Sequence, residues 1–431
     1  MNIIFAIIIL LGALAGTPLF CIVGAASMFI FHFISHVDIS SSIIEMCRLA
    51  NAPGIMAIPL FVLAGYVLVE SKASTRLVNL SNAFIGWLPG GATMITVAAC
   101  SMFTAMTGAS GITIIAIAAL MLPFLLKEGY SESFSMGLVS TTGSIGLLFV
   151  PSLPIILYGM VGRVDITQLF IAGAIPGLFL CVVVSLYGMT YALIKKIPTI
   201  SFSFKKVKKA LWEAKWELPL PFVVVGGIYG GLVTVGEAAA LTAVYVLIAE
   251  CLLYREIKFK RLMSIFWEST IMTGAILCVL AAAMGLTNAF VDLHAAENIM
   301  TLLQTHLHSK WAFLLGLNVF LLIVGCFLEI FSAIIVIAPL IIPTALAYGI
   351  DPVHLGIVFL TNMEVSYMCP PVGLNLLLSS LRFRMPIIKL YKYVLPYLII
   401  MIIALLIITY FPQMSMWLVD FLGQRKELIS M

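Results

Sequence analysis

The sequence has 431 residues, of which 62% are hydrophobic and 10% are charged, and its mean hydropathy is +1.17. Because apolar runs of about 18 residues or more recur along the chain, these values exclude a soluble globular fold and predict a polytopic helical membrane protein. The net charge of +4 does not indicate a nucleic-acid partner, since Lys and Arg lie in short loops between apolar runs. The eight cysteines show neither paired nor metal-ligand spacing, so no disulfide framework and no zinc site is predicted.

Apolar segments follow one another along the chain, at about 3–31, 54–69, 90–126, 134–161, 166–194, 218–253, 264–290, 311–347, 355–380 and 393–420. Helices over the longest of these would exceed a hydrocarbon core of about 30 Å, so they must break or fold back within the membrane. Gly, Pro and polar residues mark the predicted breaks, which lie at 16–18, at 108–111, at Gly236 and Glu237, and at 361–372.

A shift of the sequence by 220 residues indicates an internal repeat, because it superposes Gly or Pro residues at the ends of corresponding apolar runs. The superposed pairs are Gly16 and Gly236, Gly54 and Gly274, Gly65 and Gly285, Pro123 and Pro343, Gly129 and Gly349, Pro151 and Pro371, and Pro176 and Pro396. We therefore predict a first repeat at 1–200 and a second at 218–431, joined by a basic cytoplasmic linker at 201–217. Each repeat is predicted to hold a re-entrant hairpin and a broken helix, at about 90–128 and 131–161 in the first, and at about 311–348 and 353–380 in the second.

The distribution of basic residues favours an inverted arrangement of the two repeats. Five crossings per repeat would turn the second repeat over in the membrane, and with residue 1 outside, 18 of the 23 basic residues then fall in cytoplasmic loops. The alternative, in which each first apolar run crosses once as a tilted helix, puts the basic loops at 195–215 and 254–261 on opposite sides. The predicted fold is therefore an all-α membrane protein of two inverted repeats.

Two polar stretches interrupt the apolar runs at repeat-related positions. TNMEVSYMCPPV at 361–372 contains a carboxylate, an amide and two prolines, and its repeat mate is TTGSIGLLFVPS at 141–152. Irregular backbone at membrane depth is tolerated where protein or a water-filled cavity satisfies its polar groups, and secondary transporters use such breaks to bind cations and anionic substrates. With polar hairpin tips at 107–113 and 329–332, the breaks predict two quasi-equivalent cation sites with a substrate between them.

Other functional classes receive less support from the residues. A membrane-embedded enzyme would need a catalytic pair such as Ser/Lys, two aspartates or an HExxH helix, and none of these is evident in the sequence. We therefore predict no enzymatic activity. A channel is the class that the sequence alone leaves open.

Several segments resemble the large membrane subunit of tripartite ATP-independent periplasmic (TRAP) transporters, and they occur in the family's order over nearly the whole chain. They are MTGASGIT, LLKEGYSESFSMGLVSTTGSIGLLFVPSLPIILYG, FIAGAIPGLFL, GLVTVGEAAALTAVY and YGIDPVHLGIVFLTNMEVSYMCPPVGLNL. The family usually has a tip like SGSS, a double proline in the first broken helix and an Asp in the second hairpin. This chain departs from that pattern, with TGAS, Val150 before Pro151, and Glu329.

The resemblance implies an elevator-type importer of the ion-transporter superfamily, located in the bacterial inner membrane, that takes up organic acids with sodium as the coupling ion. Its implied partners are a small four-helix membrane subunit, a periplasmic substrate-binding protein and membrane lipid, with no nucleic acid and no cofactor besides sodium ions. We expect the hairpins and broken helices, about 90–161 and 311–380, to move together past a scaffold of the remaining helices. The alternative is a stand-alone sodium/dicarboxylate or sodium/citrate symporter of similar inverted-repeat design.

The hairpin tips and breaks supply the candidate ligands, because hydroxyls and freed backbone carbonyls are oxygen ligands that suit a hard cation. The candidate sodium ligands are Gly108, Ser110, Thr113, Thr141, Gly143, Ser144 and Gly146 at one site, and Glu329, Ser332, Thr361, Glu364 and Met368 at the other. The candidate substrate contacts are Thr142, Pro151, Ser152, Asn362, Pro371 and Asn375. No Lys or Arg occurs between 312 and 381, so we expect helix dipoles and bound cations to hold a substrate anion.

Overall fold

A computed structural model describes Leu11 and residues 17–52, 55–108, 110–198, 203–293, 309–371 and 373–430. Every regular element within these ranges is a helix, and several of the helices are long and apolar, which confirms the predicted all-α membrane class. The predicted break at 16–18 begins outside the described residues, since Gly16 is not among them.

The helices run through the chain as follows. The first ten are α1 Leu19–Phe29, α2 Ser40–Cys47, α3 Ala57–Glu70, α4 Ala73–Ile85, α5 Gly91–Thr107, α6 Ser110–Thr113, α7 Ala119–Lys127, α8 Glu132–Thr142, α9 Leu153–Gly162 and α10 Ile166–Lys195. They are followed by α11 Phe204–Glu213, α12 Pro219–Tyr229, α13 Val235–Leu247, α14 Phe259–Asp292, α15 Lys310–Gly325, α16 Ile330–Ala347, α17 Pro352–Ser366, α18 Leu374–Phe383, α19 Ile387–Tyr410 and α20 Gln413–Ser430. Short π-helical or 3₁₀ turns extend or join them at Ile30–Ile34, Arg48–Asn51, Ile114–Ala118, Ile145–Leu148 and Ile248–Leu253.

Helices that could cross a membrane occur in both halves of the described chain. The helices that are long and apolar enough to cross a membrane are Ile166–Lys195, Val235–Leu253, Phe259–Asp292, Ile330–Ala347 and Ile387–Tyr410. Two bent pairs also qualify if each is counted as one span. α3 and α4 bend by 74°, and Glu132–Leu148 and α9 bend by 47°. The second of these bends lies within the predicted broken helix at 131–161.

The break inside the apolar run at 218–253 differs from its predicted position. Thr234 and Glu237 form a capping box at the start of α13, in which Glu237 Oε2 accepts from the Thr234 amide at 2.7 Å. Thr234 Oγ1 in turn accepts from the Glu237 amide at 3.3 Å. Because this pair begins a helix, the break lies at 230–233, between α12 and α13, and the prediction at Gly236 and Glu237 was wrong by a few residues.

Helices of the two halves begin at matching distances along the chain. α15, α17, α18 and α19 begin 219, 220, 221 and 221 residues after α5, α8, α9 and α10. The caps recur at a similar offset, since the Ser131 side chain caps α8 and the Asp351 side chain caps α17. The matching helix starts and caps support two related halves, whereas their inverted orientation in the membrane stays a prediction. The peptide bonds Val150-Pro151 and Pro370-Pro371 are both cis.

The helices pack in two groups that together position the breaks. We call α1, α3, α13 and α14 the brace, in which α1 packs on α14 and α3 packs on α13. We call α5 to α10 and α15 to α20 the core unit, in which α8 packs on α19, and α10 and α15 both pack on α17. The two groups touch where α3 meets α5 and where α14 meets α16. Packing therefore places α10 and α19 with the hairpins and broken helices, although we had expected them in the scaffold.

Candidate functional site

The tip of the first hairpin lies against the first break. The chain turns at Gly108, whose φ of +67° is a left-handed conformation that favours glycine. Beyond the turn, Thr113 Oγ1 lies 2.7 Å from Thr104 Oγ1 in α5, and Thr104 Oγ1 donates to the carbonyl of Gly143 at 2.9 Å. The buried Ser110 completes the contact, because its carbonyl oxygen faces Gly143. Thr104 was missed at the sequence level, although it lies on α5 three residues before Thr107.

The first break also packs tightly on α5. A Cβ added at Gly146 would lie 2.6 Å from the Cβ of Thr104 and would also collide with the carbonyl oxygen of Ser101. Carbon atoms in contact are normally about 3.5–4.0 Å apart, so only glycine fits here without displacing α5. Gly146 therefore allows the backbone of the break to approach the hairpin.

Four hydroxyls of the two breaks bond back to their own helices. Thr141 and Thr361 each donate to the carbonyl four residues earlier, at 2.8 Å and 2.7 Å. Thr142 and Ser366 each donate to the carbonyl three residues earlier, at 3.4 Å and 2.8 Å. Ser and Thr hydroxyls in membrane helices commonly donate such hydrogen bonds to a carbonyl of their own helix. The lone pairs of the hydroxyl oxygen then stay available to a cation or a hydrogen-bond donor.

The second hairpin tip meets the second break through residues other than those predicted. The Ile330 amide donates to Tyr367 Oη at 2.7 Å, and Cys326 Sγ donates to the carbonyl of Pro370 at 3.4 Å. Glu329 is exposed at the start of α16, and Ser332, one turn into the helix, is half-buried. The tip at 329–332 and the stretch at 361–369 are thus brought together, with Tyr367 as the contact that the sequence did not indicate.

The remaining residues of the second break point in different directions. Met368 is buried, whereas Pro371 is exposed and its carbonyl accepts a hydrogen bond from the Tyr391 hydroxyl. Asn362 Nδ2 donates to Asn318 Oδ1 at 2.7 Å, which directs this amide toward α15. Asn362, one of the predicted substrate contacts, is therefore part of a separate polar network. Asn318 also donates to Thr409 in α19, so this network ties three helices of the core unit together.

The segments at the two breaks cross at Ser144, at Glu364 near the end of α17 and at Asn375 at the start of α18. Because α17 is helical to Ser366, the second break begins at 367, six residues later than the predicted 361. Asn375 Nδ2 donates to Ser144 Oγ at 3.1 Å and to the carbonyl of Ser140 at 3.1 Å. Ser144 Oγ donates to the carbonyl of Glu364 at 3.4 Å. Ser140 Oγ donates to Ser379 Oγ at 2.8 Å, which adds a second polar bridge between α8 and α18. The hydroxyl-rich run before Gly143 was the only sequence signal for Ser140, and Ser379 had none.

Several buried oxygen atoms of the predicted ligand residues lack a hydrogen-bond partner within the described chain. At the crossing these are both carboxylate oxygens of Glu364 and Oδ1 of Asn375, and away from it they are Oδ1 of Asn362, whose amide lies beside α15, and Oγ of Ser152 before α9. Glu364 is fully buried, and the backbone of Leu148 from the first break lies close to its carboxylate. An unpaired polar group at membrane depth is costly, so such a group indicates a functional role. The crossing therefore offers oxygen ligands of the kind that bind a hard cation.

A lateral crevice of about 630 Å³ opens beside the first break. Phe149, Val150 and Pro151 line it from the break, and most of its other walls are apolar side chains of α3, α5, α10 and α12. Thr142, Ser152 and Asn375 do not line the crevice. Among the predicted substrate contacts, only Pro151 reaches it, so the polar crossing and the crevice are separate features.

The fold and the crossing breaks define a membrane transporter built around two interrupted helices. The family described as "Tripartite ATP-independent periplasmic transporter, DctM component" matches residues 3–414. The chain therefore belongs to the DctM component family of TRAP transporters, and the resemblance seen in the sequence is confirmed.

Two relatives agree with this assignment, and a solved structure shares the fold. The chain is 32% identical over 401 residues to the C4-dicarboxylate TRAP transporter large permease protein DctM of Pseudomonas aeruginosa, covering 93% of each chain. It is 36% identical over 369 residues to the isethionate TRAP transporter permease protein DctMQ of Oleidesulfovibrio alaskensis, covering 84% of this chain but only 58% of that longer protein. The YdaH transporter of Alcanivorax borkumensis shares the fold, with a TM-score of 0.63 at 15% identity, covering 86% of this chain and 87% of that one.

Proposed function

We propose that this chain is the large permease subunit of a sodium-coupled importer in the bacterial inner membrane, which takes up an organic acid delivered by a periplasmic substrate-binding protein. A small four-helix membrane subunit would complete the membrane complex. The family assignment supports the tripartite organisation. The names of two relatives, for C4-dicarboxylate and isethionate, support a small organic anion as the substrate.

The observation that carries the proposal is the set of unpartnered oxygens where the two breaks cross. Both carboxylate oxygens of Glu364 and Oδ1 of Asn375 are unpartnered there, and the carboxylate has no basic partner in the described chain. Sodium binds oxygen ligands of this type, and interrupted helices supply further backbone carbonyls. In our proposal, a bound cation neutralises Glu364 and satisfies the oxygens that the protein itself leaves unpaired.

The substrate anion would be held without a basic side chain. Neither 128–162 nor 312–381 contains Lys or Arg, although these segments form the breaks. α9 and α18 each begin directly after a break, at Leu153 and Leu374, and a helix N-terminus attracts negative charge. Ser152, directly before α9, has an unpartnered hydroxyl that can donate to a carboxylate. Asn375, at the start of α18, could do so by exchanging one of the amide bonds that it makes to Ser140 and Ser144.

The division into brace and core unit supports an elevator mechanism. Both breaks and both hairpins belong to the core unit, and the polar contacts between the breaks join its two halves. The surfaces that separate the two groups are largely apolar, as the crevice between α3, α5, α10 and α12 illustrates. Movement of the core unit past the brace would therefore break few polar contacts while it carries the whole site.

Reconstituted uptake tests this function. The chain would be assembled in proteoliposomes with the candidate small subunit, and labelled organic acids would be offered with and without a candidate binding protein. We expect uptake only with an inward sodium gradient and a matching binding protein. Sodium-driven uptake that needs no binding protein would instead favour the stand-alone symporter, and unsaturable uptake without counterflow would favour a channel.

A further inference from the structure

Two helices outside the transport site lie side by side at one surface of the molecule. α4 turns away from the apolar helix α3 by 74°, so it runs close to the membrane plane when α3 spans the membrane. α11 packs on α4, and Leu80 of α4 meets Ala210 and Ala214 in a small apolar cluster. Both helices are therefore placed at the membrane–water interface.

α11 and its flanks carry an excess of positive charge together with exposed aromatic rings. Seven lysines and one acidic residue, Glu213, occur between 195 and 215. The side chains of Phe204 and Trp212 are exposed by 74% and 71%, and Lys215 Nζ lies 4.0 Å from the centre of the Trp212 ring. Lysines combined with exposed aromatic residues are typical of helices that lie in the headgroup region of a bilayer.

A polar cavity of about 330 Å³ lies between α4 and α11. Lys206, Lys209 and Glu213 line it from α11, while Asn79, Asn82 and Trp87 line it from α4 and the turn that follows. Lys209 lies 3.7 Å from Glu213, whereas Lys206 makes no ion pair within the described chain. The cavity thus presents ammonium and amide donors around a net positive charge, which suits a phosphate group.

We propose that this cavity binds the headgroup of an anionic phospholipid. The exposed rings of Phe84 and Trp87 beside it provide an apolar rim for acyl chains, which a soluble anion would not need. Because α4 connects the brace helix α3 to the core-unit helix α5, a lipid held here would fix the connection between the two groups. The proposal does not depend on which substrate is transported.

Lipid binding to the full-length protein in neutral detergent tests the proposal. Phosphatidylglycerol or phosphatidylcholine would be added to the protein in increasing amounts. Thermal unfolding would measure stabilisation by each lipid, and native mass spectrometry would measure how much lipid the protein retains. We expect phosphatidylglycerol to stabilise the protein. K206Q/K209Q should weaken its retention about thirtyfold, since each lysine near an anionic lipid contributes about fivefold. The matched control K258Q/K260Q removes two exposed lysines at the start of α14 and should retain phosphatidylglycerol like the wild type.

Three results would overturn the proposal. The first is equal retention of phosphatidylglycerol by K206Q/K209Q and the wild type, and the second is stabilisation by phosphatidylcholine equal to that by phosphatidylglycerol. The third is equal stabilisation by inorganic phosphate or glycerol phosphate, which would identify a site for soluble anions. If K206Q/K209Q unfolds too readily to be titrated, K206R/K209R provides the second test. It keeps the charge and must keep the preference for phosphatidylglycerol.

Discussion

Ser144 Oγ and Asn375 Nδ2 lie 3.1 Å apart, although 231 residues separate them in the sequence. Ser144 follows the end of α8 in the first break, and Asn375 is in the first turn of α18 after the second. Both side chains are fully buried. This contact fixes the two breaks to each other, so a displacement of one break has to displace the other.

Replacement of Asn375 by alanine should weaken this link. Asn375→Ala removes the donor to Ser144 Oγ and to the Ser140 carbonyl, and leaving buried acceptors without this partner costs about 1–3 kcal/mol. We expect a lower unfolding temperature and a strong loss of uptake. Thr96→Val is the control, because Thr96 is equally buried in α5 and its hydroxyl donates to the carbonyl of Ala92 within the same helix. If both variants unfold and transport like the wild type, the link has no energetic role.

Neutralisation of Glu364 should separate folding from sodium binding. Glu364→Gln keeps the shape of the side chain but removes a charge that has no counter-charge in the described chain, so the variant should fold as well as the wild type. Its stabilisation by sodium should need about tenfold more sodium or more, since a charged ligand is lost. Thermal unfolding in sodium and in potassium chloride measures both effects. Glu268→Gln, on the partly exposed face of α14, should leave the sodium response intact.

Introduction of a methyl group at Gly146 should push the first break away from α5. Gly146→Ala would place its Cβ 2.6 Å from the Cβ of Thr104, and overpacking of this kind costs about 1–3 kcal/mol. We expect reduced thermal stability together with reduced uptake. The control is Gly274→Ala in α14, where an added Cβ meets nothing within 4 Å. Unchanged stability of Gly146→Ala would mean that α5 and the break are not in tight contact.

Removal of Arg76 should release α4 from the second half of the chain. Its guanidinium pairs with Glu217, with Glu250 at 2.8 Å and with Glu256 at 2.6 Å, and only 9% of its side chain is exposed. Arg76→Ala would leave three carboxylates together without their cation, which we expect to cost about 3–5 kcal/mol. Thermal or denaturant unfolding measures this loss.

An exposed arginine nearby provides the control for Arg76. Arg261 pairs with Glu70 and Glu268, but nearly half of its side chain is in contact with solvent. Arg261→Ala should therefore change the unfolding temperature much less than Arg76→Ala. Equal effects of the two substitutions would show that the buried Arg76 cluster is not a special link.

The sequence is sufficient to predict that the long apolar runs are interrupted, because helix interruption depends on local residues. Glycine, proline and hydroxyl residues mark the first break at 141–152, and the structure has no regular α-helix between Thr142 and Leu153. The same reasoning failed at Gly236, because the capping box of Thr234 and Glu237 decides where α13 begins. Local signals thus indicate a break, while side-chain caps set its exact boundary.

The orientation of individual side chains could not be predicted, because it depends on packing between distant segments. Asn362 was predicted to lie in the second break, yet it lies in α17 before that break, and its amide donates to Asn318 in α15. Thr104 and Tyr367 connect tips and breaks, although neither side chain was predicted as a contact. Sodium coupling, the substrate and the inversion of the two halves stay predictions.

Sodium-driven uptake by the Ser144→Ala variant tests the central claim most directly, since Ser144 touches both Glu364 and Asn375. The wild type and the variant would be assembled with the same partners in proteoliposomes, and initial uptake would be measured as a function of the external sodium concentration. We predict that the variant needs about fivefold more sodium for half-maximal uptake, as expected for the loss of one hydroxyl worth about 1 kcal/mol. An identical sodium dependence in both proteins, or uptake driven equally well by potassium, would contradict a sodium site at the crossing of the two breaks.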